Sequence, residues 1–158
     1  MTASDQPATL LALEAGVRET GWAIFRDGVP VTTGTIGSAG RRGLDASTRV
    51  SRLVEALDRL VEQCRPGAVA HSQPSGIHWP VPALKLLDGA LIQWSKSHLL
   101  RLYSYTTQEV RVAITGRPNT SKDELAYEVM VSLGLIGQAK TVHEWEAIAV
   151  GHYHLSRK

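Results

Sequence analysis

Glu14 stands where an apolar run of the sequence gives way to a turn. Residues 9–15 read Thr-Leu-Leu-Ala-Leu-Glu-Ala, and Gly16, which follows them, lets the backbone turn sharply. A carboxylate that ends a buried strand is well placed to hold a divalent cation in a cleft, because such cations prefer oxygen ligands. The more ordinary interpretation of such an acid is a solvated residue or a cap.

His143 and Glu146 form a second candidate pair. They are three positions apart, which places them on the same face of a helix, and the apolar residues 147–150 that follow would rest on a core. An imidazole and a carboxylate on that face would point into a cleft. The alternative is an exposed first turn, in which Glu144 and Glu146 simply favour a helix N-terminus.

Residues 115–122, Thr-Gly-Arg-Pro-Asn-Thr-Ser-Lys, place basic groups and small donors before a predicted helix. Free backbone N–H groups and a positive dipole make a helix N-terminus suited to phosphate, although an ordinary capped turn has the same appearance. The surrounding charge supports phosphate, since residues 85–122 hold six basic residues and two acids. This excess predicts a basic surface, with solvated helix faces as the alternative. The basic residues are Lys85, Lys96, Arg101, Arg111, Arg117 and Lys122.

The elements that must position these residues begin with three strands, at residues 9–15, 21–25 and 29–36. The Asp27-Gly28 pair is a hairpin signal, so these strands should be antiparallel. An apolar stripe predicts an amphipathic helix over residues 47–64, and residues 68–70 then form a short buried strand. This strand–helix–strand spacing is typical of a parallel crossover.

The C-terminal half continues with a helix over residues 82–98, a strand over 100–105 and three helices. Each of these helices begins at a capping-box pair: Thr106 with Glu109, Ser121 with Glu124, and Thr141 with Glu144. They should extend to Ala113, to Leu133 and to Leu155. The order βββαβαβααα predicts one mixed α/β domain over residues 9–158, after a flexible N-terminus at 1–8.

Bulk composition fits that single domain. The chain has 158 residues, 43% of them hydrophobic and 20% charged, with a net charge of +2. The single cysteine, Cys64, excludes an internal disulfide and is predicted to be a core residue. Residues 1–8 lack a signal-peptide pattern, and no apolar run approaches the ~20 residues that a membrane span needs. We therefore expect a cytoplasmic protein with no membrane partner.

In their order and spacing, the three motifs resemble those of RuvC-type Holliday-junction resolvases of the ribonuclease H-like superfamily, over nearly the whole chain. That family opens with Asp-Pro-Gly and, three residues later, Thr-Gly; here the frame is Glu14-Ala15-Gly16 and Thr20-Gly21. Its Thr-Gly-x-Gly-x-Ala-x-Lys segment resembles residues 115–122, with Pro118 replacing the second glycine. Its last helix resembles the segment that carries His143, Glu146, Ala147, Ala149 and His152. The resemblance implies a five-stranded sheet of order 3-2-1-4-5 with helices on both faces.

The departures from the family pattern bear on function. Glu14 replaces an aspartate, and Ser72 stands where the family has its second acid. The family's aromatic wedge would fall near Ser75, and the slightly later His78 and Trp79 could replace it. Because a hydroxyl is a poor substitute for a carboxylate, a two-magnesium site of the kind that cleaves phosphodiesters is doubtful.

The resemblance therefore implies a weakened site with a single Mg²⁺ or Mn²⁺. Glu14, Ser72, His143 and Glu146 would form the catalytic site; Glu14, His143 and Glu146 would bind the metal, and His71 is a further possible nitrogen ligand. Arg111, Arg117 and Lys122 would contact DNA phosphates. Trp79 would stack on junction bases or, alternatively, pack at a dimer interface.

The favoured function is a homodimeric protein that binds branched or Holliday-junction DNA and whose nuclease activity is doubtful. The first alternative is an active, metal-dependent, junction-resolving endonuclease. The second is a dimeric interaction protein that neither cleaves nor binds DNA. A small-molecule kinase of the actin-like ATPase fold also opens with acid-x-Gly, but it needs a second phosphate loop and a much longer chain.

Overall fold

The computed structural model describes residues 8–16, 18–37, 45–73 and 82–157. Its five strands form one sheet of order β3-β2-β1-β4-β5. The β1–β2 and β2–β3 pairs are antiparallel, whereas β1–β4 and β4–β5 are parallel. The predicted mixed sheet and its order are therefore confirmed. The strands are β1 Thr9–Glu14, β2 Glu19–Arg26, β3 Val29–Gly37, β4 Ala68–Gln73 and β5 Arg101–Thr106.

Helices cover both faces of the sheet. The first two, α1 and α2, pack on the face from which Leu11, Leu13 and Val69 project. The other three lie on the opposite face, over Leu10, Ala12 and Ala70. The helices are α1 Ala46–Cys64, α2 Pro82–Ser97, α3 Thr107–Thr115, α4 Lys122–Leu133 and α5 Val142–Ser156.

The predicted helical patterns are confirmed with small shifts at their ends. Helix α1 buries the predicted stripe, and Cys64 is buried at its end. Both halves of the capping box form at the starts of α3 and α5. At α4, Ser121 accepts from the Glu124 amide, but the Glu124 carboxylate pairs with Arg117 rather than returning to the cap. In this helix the predicted box is therefore only half formed.

Helix α5 lies unusually close to the sheet, and two glycines permit this approach. A Cβ atom on Gly21 would lie 2.0 Å from the His143 carbonyl oxygen, and one on Gly151 would lie 2.2 Å from the Phe25 ring. Because neither glycine carries a side chain, residues 145–151 of α5 are all buried. The first turn of α5 is thereby held directly above the end of β1.

Across the described ranges, none of the helices combines the length and the apolarity needed to cross a membrane. Two predictions lie outside those ranges. The flexible N-terminus falls almost entirely on residues 1–7, and His78 and Trp79, the possible replacements for the aromatic wedge, fall within residues 74–81.

Candidate active site

Glu14 is the last residue of β1, at the edge of the sheet where the parallel strands end. It is paired in register with Gly21 of β2 on one side and with Ser72 of β4 on the other. Ser72 is in turn beside Tyr105 of β5. Strand β4 runs three residues beyond the predicted end at Ala70, which brings Ser72 into this row. In open α/β sheets this edge is where ligands bind.

His143, in the first turn of α5, connects two carboxylates from different strands. Its Nδ1 atom lies 2.7 Å from Glu14 Oε2, and its Nε2 atom lies 3.5 Å from Glu19 Oε2. Both ring nitrogens of His143 are therefore engaged with acids of the sheet. Glu19 was not among the site residues predicted from the sequence. Its position at the start of β2, the strand that pairs with β1, would have indicated an acid close to Glu14.

Glu146 lies one turn further along α5 and is buried, with 8% of its surface exposed. Its Oε1 atom is 3.4 Å from Arg111 Nη2 and 4.0 Å from Lys122 Nζ. Arg111 also donates from Nε to the Thr120 carbonyl oxygen at 3.2 Å. Two cations from two other helices therefore face the same carboxylate oxygen.

The surroundings of Glu14 raise the pKa of its carboxyl group. Burial raises the pKa of Glu14 to about 7, and the adjacent Glu146 carboxylate adds to this rise, while His143 opposes it. Glu14 therefore keeps its proton to a higher pH than an ordinary glutamate does. A protonated carboxyl is a poor ligand for a cation, since metal ligands must be deprotonated.

The structure brings Glu14, Ser72, His143 and Glu146 together at this edge. His71 is not part of the group, because side chains alternate along a strand. It points to the opposite face, where its Nε2 atom lies 2.7 Å from Ser104 Oγ.

The three basic residues that were predicted to contact DNA phosphates occupy three different environments. Lys122 is the first residue of α4, and 58% of its side chain is exposed. Arg117 is also exposed but is paired with Glu124. Arg111 departs from the predicted basic surface because it is buried inside the site and bound to Glu146.

The donor groups do not fit a site for two divalent cations. Within the described part of the chain, no group of three or more His, Cys, Asp or Glu side chains is arranged to hold a metal ion. The contacts explain this result, because His143 binds Glu14 while Glu146 faces Arg111 and Lys122. Ser72 contributes only a neutral hydroxyl. Each ionisable group of the site therefore already has a partner within the protein.

Comparison with known proteins identifies the family. A family model described as crossover junction endodeoxyribonuclease RuvC matches residues 10–154. The chain belongs to the RuvC family. The RuvC of Helicobacter hepaticus is 28% identical over 153 residues, covering 94% of this chain and 83% of the relative. The RuvC of Methylococcus capsulatus is 28% identical over 152 residues, covering 94% and 91%.

Solved structures show the same fold. Thermus thermophilus RuvC in complex with Holliday junction substrate superposes with a TM-score of 0.77 at 18% identity, covering 94% of this chain and 93% of that one. The yeast mitochondrial Holliday junction resolvase gives a TM-score of 0.66 at 8% identity, covering 93% and 77%. Together with the sheet order, these neighbours confirm the ribonuclease H-like, RuvC-type fold predicted from the sequence.

Proposed function

We propose that this RuvC-family chain binds four-way DNA junctions as a homodimer and that its acidic site does not support cleavage by two divalent cations. One observation carries the second half of this proposal. In the register between β1 and β4, the residue beside Glu14 is Ser72, a neutral residue. Without a carboxylate at that position, the described strands β4 and β5 contribute no acid beside Glu14 to share a second cation.

The junction-binding half of the proposal is supported by family membership and by the position of two exposed basic side chains. The Thermus relative of the same fold is known in complex with Holliday junction substrate. Lys122 is exposed at the N-terminus of α4, next to the acidic site, and Arg117 is exposed in the preceding turn. Because DNA affinity depends mainly on phosphate contacts, these two side chains are the proposed contacts. Arg111 would reach a phosphate only by leaving Glu146.

The homodimer is proposed on symmetry and surface grounds. A four-way junction presents symmetric arms, which a two-fold symmetric dimer matches. Helix α2 exposes 44% of Leu86 and 39% of Ile92, apolar side chains that a partner subunit could cover. The alternative role proposed for Trp79, packing at this interface, concerns a residue outside the described ranges. A DNA substrate also supports the expected cytoplasmic location.

The test is a gel-shift titration with a four-way junction and a linear duplex of equal length. Each is measured without metal, with Mg²⁺ and with Mn²⁺, and the products are then resolved on a denaturing gel. We expect the junction to be retarded, in preference to the duplex, with no strand cleavage. Cleavage would contradict the proposal and favour an active endonuclease. Absence of any shift would favour the interaction protein that does not bind DNA.

A further inference from the structure

Arg111 is a buried cation in a site that the resemblance to the RuvC family predicts to be acidic. Only 9% of its surface is exposed, and its guanidinium contacts Glu146 and the Thr120 carbonyl. A buried charge is tolerated only when it is paired and hydrogen-bonded, so these contacts are needed to keep Arg111 inside the protein. Arg111 is therefore a fixed component of the site rather than a surface side chain that happens to lie nearby.

Lys122 places a second positive charge near Glu146. It approaches Glu146 Oε1 from α4, while Arg111 approaches from α3. Since the two cations come from separate helices, they face Glu146 from different directions. This carboxylate oxygen therefore already has two positive groups of the protein within 4.0 Å.

Ser72 explains why Arg111 binds only one acid. Ser72, Arg111 and Glu146 line one small cavity, together with Thr107, Val110, Leu125 and Val150. A carboxylate at position 72 would give the guanidinium a second partner, whereas the serine hydroxyl carries no charge. Arg111 is left with Glu146 as the acid in its reach among the described residues.

We propose that Arg111 and Lys122 are the resident counter-ions of Glu146 and that they withdraw this carboxylate from divalent cations. The inference rests on the proposed function, because it concerns the same acidic site. It gives a specific cause for weak metal binding at that site. In addition to the missing acid at position 72, the protein's own cations already occupy the Glu146 carboxylate. A divalent cation next to Glu146 would have to lie close to two positive groups, which repel it strongly in a partly buried site.

The test is a Mn²⁺ titration followed by electron paramagnetic resonance, which counts free Mn²⁺ and needs no DNA. We expect weak binding by the unmodified protein. Arg111→Gln should raise Mn²⁺ affinity on the order of tenfold and Lys122→Gln by about threefold or more, because each removes one nearby positive charge. Arg111→Lys and Lys122→Arg keep the charge and should leave the affinity within about twofold.

Arg117→Gln is the matched control. It also removes one exposed cation from the same segment, but Arg117 pairs with Glu124 rather than Glu146, so Mn²⁺ affinity should not change. If circular dichroism shows that Arg111→Gln does not fold, Lys122→Gln decides the question, because its side chain is largely exposed.

Tight Mn²⁺ binding by the unmodified protein would overturn the inference. An equal affinity in the Lys122→Gln and Arg117→Gln variants would do so as well. Failure of the proposed function would be seen separately, as loss of the junction gel shift or as strand cleavage on the denaturing gel. The two ideas can therefore fail independently.

Discussion

Gly21→Ala is the change that tests most directly how helix α5 is placed over the sheet. The added methyl would lie 2.0 Å from the His143 carbonyl oxygen, well inside any normal contact between carbon and oxygen. The atom it meets belongs to the backbone of α5, so a side-chain rotation cannot relieve the clash. The N-terminal turn of α5 would have to move away from β2.

The size of the effect follows from this geometry. Overpacking a well-packed site typically costs about 1–3 kcal/mol, and a clash with backbone belongs in the upper part of that range, about 2–3 kcal/mol. For a chain of this length, each kcal/mol lowers the melting temperature by roughly 2–4 °C, so the expected decrease is about 4–12 °C. Because the displaced turn carries His143, its hydrogen bond to Glu14 should weaken at the same time.

Gly89→Ala provides a matched control. Gly89 is an exposed residue of α2, and a Cβ atom there would meet no heavy atom within 4 Å. Replacing a helical glycine with alanine should raise the free energy of unfolding by about 0.5–1 kcal/mol. Thermal unfolding and urea titration, both followed by circular dichroism, would measure the two variants side by side. An unchanged melting temperature for Gly21→Ala would refute the placement of α5 against β2.

Three further predictions concern binding, pH and the missing acid. Lys122→Ala should weaken junction and duplex binding alike and lower the slope of log affinity against log salt by about one, with the oligomeric state unchanged by light scattering; an unchanged slope would remove Lys122 from the phosphate contacts. Burial lowers the pKa of His71, so the unfolded chain takes up a proton there before the folded protein does. The free energy of unfolding should therefore decrease as pH falls below about 6.5, by at most about 1.4 kcal/mol per pH unit from this residue until its native pKa is reached. This contribution should be absent in His71→Gln, and an identical pH profile for the two proteins in urea titrations would contradict it. Ser72→Glu combined with Arg111→Gln should raise Mn²⁺ affinity more than either change alone, measured by the same resonance titration; no gain over the single changes would mean that position 72 is not part of the cation-binding space.

Much of the fold could be predicted because its signals are local. The apolar stripe of α1 and the Asp27-Gly28 turn depend only on neighbouring residues, and both lie where expected. The end of β4 was misjudged for a physical reason. His71, Ser72 and Gln73 are polar residues that rarely continue a buried strand, but pairing with β1 and β5 satisfies their backbone groups.

The composition of the site was harder to predict than its location. Local patterns singled out Glu14 at a strand end and the His143–Glu146 pair on one helix face, whereas Ser72 was added by the resemblance to the family. Partner choice does not follow from such patterns. Arg111 turns inward to Glu146, while Arg117 remains at the surface with Glu124. This difference depends on how α3 and α4 pack against α5, which the sequence pattern does not specify.

The placement of α5 also has a consequence for how the protein opens. The same helix holds His143 and Glu146 in its first two turns and buries Ala147, Ile148, Ala149 and Val150 in the centre of the domain. Amide hydrogens in such a central helix exchange with solvent mainly through global unfolding. The backbone of α5 from Glu146 onward should therefore exchange as slowly as the core strands, while the turn around Arg117 exchanges much faster. Binding of DNA at the proposed phosphate contacts could then rearrange the exposed turn around Arg117 without loosening Glu146 and the buried residues that follow it.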